Sequence, residues 1–392
     1  MPQRTVGMCP YPNDSEWNTL GNPLLGRLVK AIEQVGWKVE PVDAYLLERP
    51  DEIRRRGIDV LHLHWADAAY NLVRFERWWP GWVRLPPSLR GIHKRLSRAA
   101  GAVRLHLRGR RIVSQAYADI DAWITALCEA RIPIVWQVHD LLAHAYLGAG
   151  TRALGAIDRR LNERIFGAAR SLVLHERCCV PEVLDFFGGP KDHVVVPLGP
   201  LAVRPPIDRA TARSRLSLQR QGRVLSYLGT ARPNRNPRHA IQAFCDVAGP
   251  RHSLVVAGQG VGGFVPRAAR GRGSIHVLDG FVAADAMRDI YCASDFVIND
   301  AEGYLTSGVI RTAMEYGRPV IAHPQGCAVD MAAGAAVWIQ KPMGLKGAVG
   351  DALEMSELRY TAMVESAGKL NAERQWPAAA AVLTDLYARL TA

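Results

Sequence analysis

Short apolar runs alternate along this chain with stretches whose apolar residues recur at helical spacing. Residues 5–8 read as a weak first strand. A helix follows over 23–35, with Asn22 as N-cap, Pro23 at its first turn and Gly36 past its end. Residues 37–42 read as a strand. In 58–65 (IDVLHLHW), Val60, His62 and His64 alternate with Leu61, Leu63 and Trp65, the two-residue period of another. A helix is expected over 119–130. Residues 132–138 (IPIVWQV) form the strongest strand signal of the first half, ending in His139-Asp140. Helix 157–169, strand 171–174, helix 181–187 and strand 194–196 complete it.

The Pro-rich stretch 197–209 (PLGPLAVRPPIDR) interrupts the pattern and marks a linker. Beyond it the alternation resumes with strand 224–228, helix 237–247, strands 253–257 and 274–278, and helix 283–293. Residues 295–323 are the most informative stretch. Phe296-Val297-Ile298 reads as a buried strand, a loop carries Gly303, Thr306, Ser307 and Gly308, and a helix follows over 309–316. Gly317 fits the helix C′ position, and Pro319 stops it before the next strand. A last helix is expected over 376–390. Strands alternating with helices predict an α/β protein with two Rossmann-like, doubly wound domains facing a cleft. The expected division is 1–200, 210–374, and a C-terminal piece, 375–392, packing back on the first domain.

Composition narrows the class. Hydrophobic content of 48% with 22% charged residues suits a globular protein, and 392 residues suit two domains. Forty-nine Lys and Arg against 37 Asp and Glu leave a net charge of +12, which favours an anionic partner. The N-terminal stretch lacks the apolar core of a signal peptide, and no run of 18 apolar residues occurs. The seven cysteines are scattered and form no C-x-x-C pair, as in a reduced, cytoplasmic protein. The basic excess concentrates in 74–113. There Trp78, Trp79 and Trp82 accompany Arg84, Lys94, Arg95 and further arginines, with Glu76 as the one acidic residue. Interleaved aromatics and cations suit an anionic membrane interface; single-stranded nucleic acid and a plain surface helix are the alternatives.

Three strand ends of the second half carry candidate chemistry. Leu228-Gly229-Thr230-Ala231-Arg232-Pro233-Asn234-Arg235 supplies a glycine turn and two arginines able to bind a diphosphate. Gly258-Gln259-Gly260 lets backbone approach a ligand. Thr306, Ser307 and Gly308 open a helix, where free N–H groups and the dipole favour anions.

In this order, GTARPNRN after a strand, AGQG after the next, GFV after a third, and SGVIRTAMEYGRPVIA resemble the nucleotide-sugar domain of GT-B glycosyltransferases. Bacterial β-mannosyltransferases of xanthan-type exopolysaccharide synthesis look most similar. Asn22-Pro23, HLHW at 62–65 and Val138-His139-Asp140-Leu141-Leu142-Ala143-His144 extend the resemblance into the first half. It implies a nucleotide-sugar donor such as GDP-mannose, with Arg232 and Arg235 on the diphosphate. Ser307 and Gly308 would bind through backbone N–H groups, and Gly280, Phe281 and Val282 would face the base. Gly229, Gly258, Glu302 and Thr306 complete the expected donor set. The implied acceptor is a lipid-diphosphate-linked oligosaccharide, met by Asn22 and the 74–113 segment at the inner face of the plasma membrane. No metal, cofactor or nucleic acid is expected.

Retaining members of that family carry two glutamates, E-x7-E. Here Tyr304 and Thr312 occupy those positions, and Glu302 and Glu315 are out of register. The departure points to inversion, a single displacement in which a base takes the acceptor's proton. Asp140 is the first candidate, with helix N-cap as its structural alternative; His139 and Asp67 are the others. His62 and His64 share a strand face without a third suitably spaced metal ligand. A retaining transferase with another donor, a sugar-nucleotide epimerase and a nucleic-acid-binding protein remain the rival readings.

Overall fold

A computed structural model describes residues 4–11, 23–70, 87–143, 152–219, 221–232, 235–269 and 274–392. Among them, the strands form two six-stranded sheets, parallel at every pairing. The first contains β1 (Thr5–Cys9), β2 (Lys38–Pro41), β3 (Val60–Leu63), β4 (Ile134–Gln137), β5 (Ser171–Leu174) and β6 (His193–Val195), in the order β2-β1-β3-β4-β5-β6. The second contains β7 (Val224–Leu228), β8 (Ser253–Gly258), β9 (Ile275–Asp279), β10 (Phe296–Asn299), β11 (Val320–Ala322) and β12 (Ala336–Trp338), in the order β12-β11-β10-β7-β8-β9. The α/β, doubly wound architecture expected from the sequence is therefore present twice. Strand order reverses between β1 and β3 and again between β7 and β10, and crevices for ligands open at such points.

Burial explains why these runs became strands. Every residue of β7, β8 and β10 is buried, as parallel strands covered on both faces require. Strand β9 lies at the sheet edge, so Val277 and Leu278 remain exposed.

One helical expectation needs correction. Residues 119–130 are the end of a longer helix that begins after a kink at Arg108, where it meets a preceding helix that starts at Pro87. Between Arg108 and Glu129 it contains no proline, so no backbone donor is removed there. The helix is fastened to Arg152–Ala168 through Arg160, whose Nη2 lies 2.7 Å from Asp121. Asn22, Trp78, Trp79, Trp82, Arg84 and His144 lie outside the described residues, and Lys94 and Arg95 fall on the helix that starts at Pro87.

Two chain passes join the domains, and they meet. Gly199 crosses beneath Trp376, so close that a Cβ there would fall 2.3 Å from the indole. Trp376 Nε1 donates to Pro200 O at 2.9 Å, and Arg27 donates to Pro200 O and Ala202 O. From the second domain, Glu315 Oε2 accepts the N–H groups of Leu201 and Ala202 at 2.7 Å each. Arg311, fully buried, donates to Leu198 O and Arg374 O. Arg374 in turn forms a bidentate pair with Glu176, both contacts 3.0 Å. The terminal helix Trp376–Thr391 then lies on the first domain, where Tyr387 meets the Trp37 ring edge-on and its hydroxyl sits 2.5 Å from His62 Nδ1.

Candidate active site

A cavity of about 870 Å³ lies between the carboxyl ends of the two sheets. The second domain supplies one wall from three strand ends. After β7, Gly229 adopts φ +130°, and a Cβ there would meet the Arg235 guanidinium at 2.6 Å. After β8, Gly258 adopts φ +142°, and a Cβ would fall 2.1 Å from Gly229 O. Only glycine allows these backbones to approach so closely. Arg232 and Arg235 then pair through their backbones, at 3.1 and 3.0 Å, in a tight loop that presents both to the cavity. Their side chains differ. Arg235 is half-buried, donates to Leu228 O and lies over the Tyr227 ring, whereas Arg232 is exposed at the rim.

The third strand end, β10, leads to the helix Gly308–Glu315. Ser307 caps it by accepting the Ile310 N–H at 3.3 Å. Thr306, Ser307 and Gly308 all line the cavity, with that helix N-terminus facing it. Gly280, Phe281 and Val282 line another side, and Phe281 is 68% exposed. At the floor, Asn299 Nδ2, Tyr304 OH and Thr306 Oγ1 are buried and complete no protein hydrogen bond among the described residues. Buried polar atoms in that condition are ready to receive a polar ligand.

The first domain supplies the facing wall, where Trp65, His139 and Asp140 line the cavity. Asp140 Oδ1 accepts the N–H of Leu305 at 3.2 Å, which joins the strongest strand of the first half to the loop before the helix Gly308–Glu315. Residues 141 and 142 are bends, and the Asp140 carboxylate reaches across the cleft. His139 lies flat on Trp65, ring centroids 4.4 Å apart, and its Nε2 sits 3.1 Å from His64 Nδ1. His62, His64, His139 and His175 form one buried cluster. Burial first, and then mutual repulsion, drive His64 and His139 well below the usual imidazole range. Burial lowers His62 to about 3 and His175 to about 4. The cluster is neutral at pH 7, and among the described residues no His, Cys, Asp or Glu group could hold a metal.

Two candidates fall elsewhere. Glu302 is exposed and does not line the cavity, because the loop turns its side chain to solvent while Tyr304 and Leu305 pack inward. Asp67 also lies outside the lining; burial and the neighbouring Asp140 push its carboxyl up. Asn299, Tyr304, Tyr291, Thr312 and Tyr316 line the cavity without having stood out as ligand contacts in the sequence. Asn299 at the end of an apolar strand was the one readable signal. The tyrosines sit at positions indistinguishable by pattern from core residues. Asp158, buried on the Arg152–Ala168 helix, also escaped notice. Its Oδ2 accepts the Ala143 N–H at 2.7 Å, and burial, followed by Asp67 and Asp140, pushes its carboxyl up to about 7.

Residues 222–354 match the family model of glycosyl transferases group 1. No curated protein sequence matches significantly. Among solved structures, sucrose-phosphate synthase from Thermosynechococcus elongatus superposes with a TM-score of 0.67 at 14% identity, covering 99% of both chains. Anabaena HepE in complex with UDP gives 0.56 at 13% identity, covering 99% of this chain and 100% of that one. WaaG, a glycosyltransferase involved in lipopolysaccharide biosynthesis, gives 0.54 at 14% identity, covering 98% and 99%. The likeness spans both domains and identifies the GT-B arrangement. This chain is a glycosyltransferase of GT-B fold, and residues 222–354 are similar to glycosyl transferases group 1.

Proposed function

We propose that this enzyme transfers a sugar from a nucleotide-sugar donor to a lipid-diphosphate-linked oligosaccharide in surface-glycan synthesis, with inversion. The carrying observation is the opposition of the two cavity walls. Arg232, Arg235 and the N-terminus of Gly308–Glu315 stand on one, and Asp140 on the other. In this reading the diphosphate lies against the cationic wall and Phe281 faces the base. The donor sugar meets Asn299 Nδ2, Tyr304 OH and Thr306 Oγ1. The acceptor hydroxyl attacks the anomeric carbon as its bond to the diphosphate oxygen breaks. The hydroxyl proton passes to Asp140, and the leaving diphosphate keeps the bonding electrons, stabilised by the arginines and the helix N-terminus. Thr312 lines the cavity where retaining relatives carry their second glutamate, and its Oγ1 donates to Gly308 O at 2.8 Å. That supports inversion over retention.

GDP-mannose is the proposed donor, from the resemblance to β-mannosyltransferases; Anabaena HepE has been solved with UDP-glucose. Thermal-shift titration with GDP, UDP, ADP and their sugars tests the nucleotide. GDP should give the largest stabilisation, and a larger shift with UDP or ADP would overturn that choice. Arg232→Ala should weaken donor binding about tenfold or more, the loss of a charge-assisted contact. Unchanged affinity would remove Arg232 from the diphosphate site.

We further propose a peripheral seat on an anionic membrane. Val103 and Leu107, 59% and 75% exposed, lie beside the exposed Arg108, Arg110 and Arg111 within the basic segment. Among the described residues no helix is long and apolar enough to cross a membrane. Flotation with phosphatidylglycerol vesicles should capture the protein at low salt and release it at high salt. Protein left at the bottom of the gradient at low salt would refute the seat.

A further inference from the structure

The segment that carries Asp140 is held from behind by two side chains of a single helix. On Arg152–Ala168, Asp158 and Asn162 stand four residues apart and therefore on one face. Both are buried, at 1% and 4% exposure. Asp158 Oδ2 accepts the Ala143 N–H at 2.7 Å, and Asn162 Nδ2 donates to Leu141 O at 3.3 Å. On the other side of Asp140, Val138 donates its N–H to Val173 O at 3.0 Å, as the sheet ladder continues past the end of β4. The segment 138–143 is thus fixed at both ends, and Asp140 lies between the anchors. Its carboxylate then reaches the Leu305 N–H on the facing wall.

A loop without regular structure would wander by more than proton transfer tolerates, since a base must stay within hydrogen-bond reach of its proton. Two buried polar side chains are an expensive way to fill a helix face unless their bonds matter. We propose that Asp158 and Asn162 are positioning residues, clamping the loop after β4 so that Asp140 is held against the donor wall in reacting geometry. This rests on Asp140 acting as the base. Neither residue touches substrate in this account. Asp158 acts through Oδ2 as the acceptor for the Ala143 N–H, and burial pushes its carboxyl up to about 7. Asparagine at this position offers the same acceptor oxygen.

The test compares kcat, KM and donor Kd in Asp158→Ala, Asp158→Asn, Asn162→Ala and Asp140→Asn. Asp158→Ala should lower kcat about tenfold, the value of one buried hydrogen bond, with donor Kd unchanged. Asp158→Asn should restore kcat to within about threefold of the parent, because the Ala143 bond is remade. Asn162→Ala should lower kcat about threefold with donor Kd unchanged. It carries the test should Asp158→Ala fail to fold. If Asp140→Asn is inactive while Asp158→Ala and Asn162→Ala turn over at the parent rate, the clamp is overturned and the base assignment stands. If Asp140→Asn turns over normally, both are overturned. Loss of donor affinity in parallel with kcat in folded Asp158→Ala, unrepaired by asparagine, would also overturn the clamp, as it marks a general structural role.

Discussion

Asp140→Asn is expected to lower turnover by about a hundredfold to ten-thousandfold, the usual worth of a positioned general base, while donor affinity stays at the parent level. The split follows from the two walls of the cavity. Arg232, Gly258 and the Gly308–Glu315 helix belong to the second domain, and Asp140 belongs to the first. Asparagine keeps an oxygen for the Leu305 N–H, so the contact across the cleft survives while the proton acceptor is lost. Isothermal titration with donor nucleotide and steady-state turnover with acceptor measure the two halves separately. Near-normal turnover would move the base to His139, which also lines the cavity. Asp67 is the weaker substitute, because it stands behind the lining.

Arg374→Ala should reduce stability by about 3–5 kcal/mol, the loss seen when one partner of a buried ion pair is removed. Arg374 and Glu176 are 7% and 3% exposed and joined by two contacts of 3.0 Å. Burial pushes the Glu176 carboxyl up and Arg374 pulls it down; burial prevails. Without the arginine, a carboxylate would remain in the interior with its partner gone. Arg374 also donates to Leu370 O and to Asp330 O, and accepts through its own carbonyl from Arg311. The loss therefore spreads to the crossing of the two inter-domain passes. Urea unfolding followed by circular dichroism would measure it. Replacing both partners with methionine should restore much of the stability, because no charge is then stranded. A single variant within about 1 kcal/mol of the parent would show that the pair contributes little.

The crossing also ties the donor wall to the linker. The helix whose N-terminus faces the cavity through Ser307 and Gly308 grips Leu198, Leu201 and Ala202 with Arg311 and Glu315 farther along. Glu315, set aside in the sequence as out of register with the family's glutamates, has this structural use. Its carboxylate stabilises two linker N–H groups that would otherwise lack partners.

Periodicity along the chain was enough for the two doubly wound sheets, since buried parallel strands leave mostly apolar runs such as Val224–Leu228 and Ser253–Gly258. The cavity-lining segments of the second domain were legible for a related reason. Glycines at strand ends followed by arginines or a capped helix are local features, and Gly229, Gly258 and Ser307 carry their meaning in their immediate neighbours. Local signals failed where a side chain's direction decides its role. Glu302 and Tyr304 lie two apart in one loop, yet one points to solvent and the other inward. Asp67 and Asp140 both follow strands, and only Asp140 reaches the cavity.

What the sequence determined by itself was therefore the class of fold, the alternation of elements and the chemistry of the cationic wall, because each is written in spacing of two, three or four residues. What only the tertiary structure decided were contacts between residues far apart in the chain. Asp140 meets Leu305, Glu176 meets Arg374, His62 meets Tyr387, and Asp158 holds the loop at Ala143. Those pairings depend on how two sheets face one another and where helices return across them. No periodicity in the chain encodes that distance.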